Sequence, residues 1–242
     1  MDELAEIKQC GSVNVYMEAK YRPYEYVEQN GQIVGIDVDL MKKFFEEELG
    51  ITVKITDVDF PGLITSLATG KADMIASAIS ATKERAERVD FTIPYAPAGG
   101  VVLVHPDDTS IRSPEDLTGK VVASQRGSVP LQNAEAYEND LKARGKPGYS
   151  ELRRYADFPS TFEDLRVGRI DAVVAGYSIA ALLVKERPGQ FKILSKFGPP
   201  SFFAMAVPKG EKEFADYLSG KIRQWRKDGT VGELHFGARG SR

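Results

Sequence analysis

Leu67-Ala68-Thr69-Gly70-Lys71-Ala72-Asp73-Met74-Ile75 and Leu165-Arg166-Val167-Gly168-Arg169-Ile170-Asp171-Ala172-Val173 follow one pattern. Each reads as the leucine end of a helix, a glycine C-cap, a basic residue and an aspartate leading an apolar strand. One such echo could arise by chance. Each copy, however, sits at the same point of a longer run. Before the first come a strand over 13–16, a helix carrying Leu40, Met41, Phe44, Phe45 and Leu49 that stops at Gly50, a strand over 51–55 and a helix marked by Leu63, Ile64 and Leu67; a strand over 74–78 follows. Around the second are a strand over 120–124, a helix opened by Ser128 and Pro130, a strand over 152–155, a helix with a Ser160/Glu163 capping box and a strand over 172–175. Two β-α-β-α-β runs predict an α/β protein of two similar lobes, each a mostly parallel sheet flanked by helices.

Between the runs lies Phe91-Thr92-Ile93-Pro94-Tyr95-Ala96-Pro97-Ala98-Gly99-Gly100, and after the second comes Lys196-Phe197-Gly198-Pro199-Pro200-Ser201. Both are rich in Pro and Gly, as crossings between domains should be. The tail adds a strand over 202–207 and a helix with Phe214, Leu218, Ile222 and Trp225 on one face. So short a pair cannot bury its own faces, so it is expected to pack back onto the first lobe. The expected domains are therefore a discontinuous lobe 1 (1–97 plus 199–242) and a lobe 2 (98–198), with two hinge crossings. In such folds ligands lie at the carboxyl ends of strands, where helix N-termini point their N–H groups, which predicts a site between the lobes.

Composition narrows the function classes. The 242 residues are 42% hydrophobic and 28% charged, enough for a core and inconsistent with disorder. Thirty-two Lys and Arg against thirty-five Asp and Glu give a net charge of −3, with the signs interleaved, so no basic footprint for nucleic acid is expected. The longest uncharged stretch, 91–106, is broken by Pro94, Pro97, Gly99, Gly100 and Pro106 and cannot span a bilayer as a helix. One cysteine, Cys10, excludes an intrachain disulfide; with only His105 and His235 besides, a zinc or Cys/His catalytic site has too few parts. No metal and no cofactor are expected. Cys10 reads as a partly buried structural thiol, Gly240-Ser241-Arg242 as a cloning remnant, and no signal peptide is recognisable in the sequence as it stands.

Several stretches carry a resemblance: Tyr21-Arg22-Pro23-Tyr24-Glu25, Gly35-Ile36-Asp37-Val38-Asp39-Leu40, Ile79-Ser80-Ala81-Thr82-Lys83-Glu84-Arg85, Asp90-Phe91-Thr92-Ile93-Pro94-Tyr95, Asp116-Leu117-Thr118-Gly119-Lys120, Gly127-Ser128 and Gly168-Arg169-Ile170-Asp171-Ala172. In this order, from about residue 5 to Asp228-Gly229-Thr230, the chain resembles the periplasmic amino-acid-binding proteins, solute-binding family 3, which serve ABC importers. The resemblance implies a type II periplasmic-binding-protein fold and a small carboxylate-bearing ligand captured by hinge closure. It further implies delivery to ABC permease membrane subunits, a monomer and a periplasmic location.

It also assigns residues. Arg85, in the first turn after the N-cap Thr82, is where the family's arginine holds the ligand carboxylate; the alternative is a surface arginine paired with Glu84 or Glu87. Ser80 is implied to contact the same carboxylate from lobe 1, and Ser128 from the start of a lobe 2 helix, although a cap alone would also explain Ser128. Tyr21 and Phe60, and less so Tyr95, fall where the family places walls around the ligand. Asp37 and Asp39 are expected to cap the following helix, and Asp73 and Asp171 to be structural. The departure is Gly176: family members that bind α-amino acids generally carry there the aspartate that pairs with the ligand's ammonium. A desolvated ammonium without a carboxylate costs several kcal/mol, so another acid replaces it or the ligand lacks it. Glu18 is the best substitute and Asp157 the second; both could equally be solvated loop charges. Val129 stands where the family often has a hydroxyl residue.

The leading function is thus a receptor that captures a small carboxylate-bearing solute, an amino acid or a des-amino or otherwise amino-acid-like acid, and not an enzyme. The alternatives are a cyclohexadienyl-dehydratase-like enzyme on the same scaffold and a sensor domain of a membrane receptor. Gly176-Tyr177-Ser178-Ile179 offers no carboxylate for elimination chemistry.

Overall fold

In the computed structural model, which describes residues 3–230, the two echoing stretches fold alike, bond for bond. The Gly70 and Gly168 N–H groups donate to Leu67 and Leu165 carbonyls, both at 3.1 Å, and both glycines have positive φ, 67° and 74°. The Lys71 N–H then reaches the Ser66 carbonyl at 3.0 Å and that of Arg169 the Asp164 carbonyl at 2.9 Å. Asp73 Oδ2 accepts from the Asn14 N–H and Asp171 Oδ2 from the Val121 N–H, each at 2.7 Å. Each aspartate clamps the neighbouring parallel strand where it starts, the structural role expected of both. His235 and Gly240-Ser241-Arg242 lie outside the described residues.

The strands are β1 Ser12–Met17, β2 Lys20–Tyr21, β3 Glu25–Val27, β4 Ile33–Val34, β5 Thr52–Asp57, β6 Met74–Ile75, β7 Val89–Phe91, β8 Ala96–Val104, β9 Val121–Gln125, β10 Glu151–Tyr155, β11 Ala172–Gly176, β12 Lys192–Phe203 and β13 Ala206–Pro208. The helices are α1 Glu3–Cys10, α2 Ile36–Met41, α3 Leu63–Ala68, α4 Lys83–Ala86, α5 Val129–Ala143, α6 Phe158–Arg166, α7 Tyr177–Glu186 and α8 Lys212–Lys227. The chain forms two compact units, one of the residues up to Pro97 and from Phe202 onward, the other Ala98–Ser201. It passes from one to the other within β8 and again within β12.

The first unit has the sheet β5-β1-β6-β13-β7, the second β10-β9-β11-β8-β12. In both, the first strand of the run lies centrally, parallel to its two successors, and an antiparallel strand follows the third: β13 beside β6, β8 beside β11. A small antiparallel sheet, β2-β3-β4, belongs to the first unit. The architecture is α/β, as expected from the alternation of apolar runs.

Side-chain periodicity explains the cores. Leu40, Met41, Phe44 and Phe45 are all buried, and the helix continues past α2 as a wide turn over Lys42–Glu47 that keeps both phenylalanines inward. α8 buries Phe214, Leu218, Ile222 and Trp225, with Trp225 5.9 Å edge-on from Phe44. The second unit closes around Val102, Val104, Val122, Leu141, Val174 and Phe197. Among the described residues no helix is long and apolar enough to cross a membrane.

Several sequence expectations change. The tail strand is two pieces, the end of β12 and β13. The strand expected over 74–78 stops at Ile75, and the chain turns at Ala78, with a positive φ of 38°. α6 is capped by Asp157, whose side chain accepts from the Ser160 N–H at 2.9 Å, so Ser160 is inside the helix and no Ser160/Glu163 capping box opens it. Asp37 does not cap α2: it is fully buried, its carboxylate receiving other groups. Cys10 is exposed at the end of α1, not partly buried.

Candidate functional site

Strand order places the candidate residues. From β1 the chain runs through α2 to β5 on one side, then through α3 to β6 on the other, so β1 and β6 flank a point where the winding reverses. β9 and β11 flank the equivalent point of the second unit. Ligands of α/β sheets bind outside the carboxyl ends of strands at such points. Glu18 directly follows β1 and the turn bearing Ser80 follows β6; Gly127-Ser128 follows β9, Gly176 ends β11, and Asp157 lies just past β10.

Arg85 is the most constrained of these. Thr82 caps α4, its Oγ1 accepting the Arg85 N–H at 3.2 Å, which sets the side chain's point of departure. Arg85 Nη1 then donates to the Ser80 carbonyl at 2.7 Å, and the guanidinium carbon lies 5.5 Å from the centre of the Phe60 ring. Burial pulls the Arg85 pKa down to about 10, with Glu84 opposing the shift; the group stays cationic at neutral pH in a poorly solvated place. A guanidinium carries five N–H donors in a planar fork, enough to hold Ser80 and still grip a carboxylate through two.

The other first-unit candidates divide. Ser80 is buried, bridges to Phe203, and lends its carbonyl to Arg85. Phe60 is the floor beneath Arg85, packed on the cluster of Leu63, Leu67 and Ile75. Tyr21 meets Phe203 edge-on at 6.1 Å and Tyr24 at 6.1 Å; burial, then Tyr24, Glu25 and Glu18, push its phenol well above the usual range. Tyr95 is a core residue whose hydroxyl donates to Asp37 at 2.8 Å.

Glu18 is no solvated loop charge: it is 2% exposed, and its N–H donates to Ser77 Oγ at 3.0 Å. Ser77 in turn donates to Glu25 Oε1 at 3.1 Å. Glu25 is the acid that sequence reasoning missed. It is 1% exposed beside the buried Asp37, which takes the Ala78 N–H and the Tyr95 hydroxyl on Oδ2. Glu25 Oε2 and Asp37 Oδ1 have no donor among the described groups unless a proton joins them. Burial and the Asp37 charge push Glu25 well up, and burial raises Asp37 to about 6 against its hydrogen bonds, because a buried carboxyl resists ionisation. The signal available in sequence was a glutamate beside two tyrosines in Tyr21-Arg22-Pro23-Tyr24-Glu25.

In the second unit Ser128 caps α5: its hydroxyl accepts the Leu131 N–H at 3.2 Å and donates to the Gln125 carbonyl at 2.8 Å. Pro130 has no N–H, and the Leu131 N–H of that first turn is taken by the cap. Gly176 is buried, opposite Gly100 in the antiparallel register, and starts α7 without a side-chain cap. Asp157, as the α6 cap, has a structural use. A cavity of about 380 Å³ in this unit, lined by Asn133, Tyr137, Asp140, Lys196 and Phe197 among others, contains none of these residues.

Comparison with known proteins gives the same picture. Residues 13–236 match the family described as bacterial extracellular solute-binding proteins, family 3. The chain is 30% identical, over 96% of its length and 89% of the relative's, to the probable amino-acid-binding protein YxeM of Bacillus subtilis (strain 168). It is 32% identical to the L-arginine-binding protein of Pseudomonas aeruginosa, over 92% of this chain and 85% of that one. Among solved structures it is similar to an ancestral arginine-binding protein bound to arginine (TM-score 0.84, 33% identity, 93% of this chain and 96% of that one). It is likewise similar to the ancestral amino acid-binding protein AncCDT-1, a precursor of cyclohexadienyl dehydratase (TM-score 0.86, 31% identity, 96% and 97%). The order of the strands, the paired aspartate clamps and the match along almost the whole chain lead to one assignment: this protein belongs to the bacterial extracellular solute-binding proteins, family 3.

Proposed function

We propose that this protein is the receptor of an ABC importer, a periplasmic monomer that captures a small carboxylate-bearing solute and hands it to membrane permease subunits. The observation that carries the reading is Arg85, a partly buried guanidinium aimed by the Ser80 carbonyl and backed by Phe60. Such a group is costly to bury and gains most from a carboxylate that replaces its lost water. The relatives support the class: their names include arginine-, cystine- and histidine-binding proteins, one of them an ABC transporter protein.

In this reading Arg85 grips the carboxylate, Ser80 aims it, and Ser128 supports a second contact through the start of α5. Tyr21 and Phe60 form apolar walls. The ligand's remaining end decides between two versions. Gly176 provides no acid, so the ligand either lacks a free α-ammonium, as hydroxy, keto or N-modified acids do, or presents its cation to the buried Glu18. The first is favoured, because Gly176 supplies no acid and Asp157 is engaged as a helix cap. Binding without catalysis is part of the proposal: from the end of β11, Gly176 to Ile179 contain no carboxylic acid for elimination chemistry.

A thermal-shift panel tests it. Carboxylates without a free α-amino group are expected to stabilise the protein more than the standard amino acids do; at a hundred times Kd the gain is about 2.7 kcal/mol. Standard amino acids that stabilise it, with most of the effect lost in Glu18→Gln, select the second version. Tight binding of an α-amino acid that survives Glu18→Gln contradicts both.

A further inference from the structure

The turn that carries Ser80 contains Ala78, the non-glycine residue with positive φ among the described residues, at 38°. A Cβ disfavours that conformation, so something must hold it. The Ala78 N–H donates to Asp37 Oδ2 at 2.8 Å, and Tyr95 donates to the same oxygen at 2.8 Å. Asp37 sits in α2 and is fully buried, so this acceptor comes from the core and not from the turn itself. Its other oxygen, Oδ1, is buried and accepts no hydrogen bond among the described residues, with Glu25 beside the carboxyl. The flanks of the turn are tied independently: Ser77 between the Glu18 N–H and Glu25, Ile79 by the Ala204 N–H at 3.0 Å, Ala81 to the Phe202 carbonyl at 3.0 Å. Just after Ala78, the Ser80 carbonyl receives Arg85.

We propose that Asp37 is a positioning residue for the carboxylate anchor: by holding Ala78 in its left-handed conformation it sets the direction of the Ser80 carbonyl and, through it, of the Arg85 guanidinium. The inference rests on the reading of Arg85 as the anchor. It assigns to a residue that touches no ligand a share of the affinity, and it explains why a strained alanine sits beside the site.

The test is a titration with sodium acetate, the simplest carboxylate, followed at the Ser80 amide resonance, with hydrogen exchange at the Ala78 amide as a ligand-free readout. Asp37→Ala is expected to weaken acetate at least tenfold and to deprotect Ala78. Asp37→Asn keeps a carbonyl acceptor for Ala78 and is expected to bind within threefold of wild type. Adding Ala78→Gly to Asp37→Ala is expected to recover part of the loss, because glycine adopts positive φ without a Cβ. If Asp37→Ala does not fold, Asp37→Ser, too short to reach Ala78, takes its place with the same expectation. Binding by Asp37→Ala or Asp37→Ser within threefold of wild type overturns the proposal, as does Asp37→Asn binding as weakly as Asp37→Ala. Arg85→Ala measured alongside separates the two claims. Acetate binding retained there removes the anchor and the positioning role with it; binding lost there but kept in Asp37→Ala overturns the positioning role alone.

Discussion

Glu25 and Asp37 are a pair of acids buried side by side, and their protonation is a stability term. Asp37 is raised from 3.8 to about 6 and Glu25 well above 4.5, both chiefly by burial. The folded protein therefore binds more protons than the unfolded chain as pH rises from about 4. Stability from this pair is full below that and is lost as pH climbs through the folded-state values. The groups around the pair are the Glu18 carboxyl, the Ser77 and Tyr95 hydroxyls, and the phenols of Tyr21 and Tyr24. Urea melts are expected to show higher stability at pH 5 than at pH 8, and Glu25→Gln, whose amide can donate to an ionised Asp37, to make that decline with pH shallower. Glu3, raised to about 7 by burial, Asp73, Glu6 and Glu211, adds to the slope of both proteins, so their difference isolates the pair. An unchanged slope in Glu25→Gln would mean that the two acids do not share a proton.

At the scale of elements, helix starts give Thr82, Ser128 and Asp157 a capping role. Asp157 is tied to the Ser160 N–H, so Asp157→Ala should cost about 1 kcal/mol in a urea melt and leave the ligand's Kd unchanged. A tenfold loss of affinity with unchanged stability would return Asp157 to the site. The elements themselves were readable because burial faces repeat: Phe214, Leu218, Ile222 and Trp225 do line one face of α8. The start of α4 and its cap were readable too, since Thr82 announces the helix that carries Arg85. What was not readable depended on residues far apart in sequence. Asp37 looks like a helix cap until Ala78 and Tyr95 are seen to converge on it, and Ser160 looks like a cap until Asp157 takes its amide. Strand β6 is shorter than its apolar run, and nothing local in 74–78 announces the turn at Ala78 that the same convergence holds. Glu25 could not be separated from an exposed loop acid without the elements that bury it.

For the whole molecule, two units joined through β8 and β12 give a receptor two crossings about which to close. Solution scattering is expected to show a smaller radius of gyration with a saturating ligand than without. An unchanged value, from a sample shown to be ligand-free at the start, would count against hinge closure. The central claim is that a carboxylate is captured at Arg85, and calorimetric titration of the best-stabilising carboxylate into wild type and Arg85→Ala tests it most directly. A charge-assisted contact is worth about 1.5–3 kcal/mol, and stranding the carboxylate adds to the loss, so affinity is predicted to fall at least tenfold with the fold intact. Arg85→Ala binding within threefold of wild type would contradict the account.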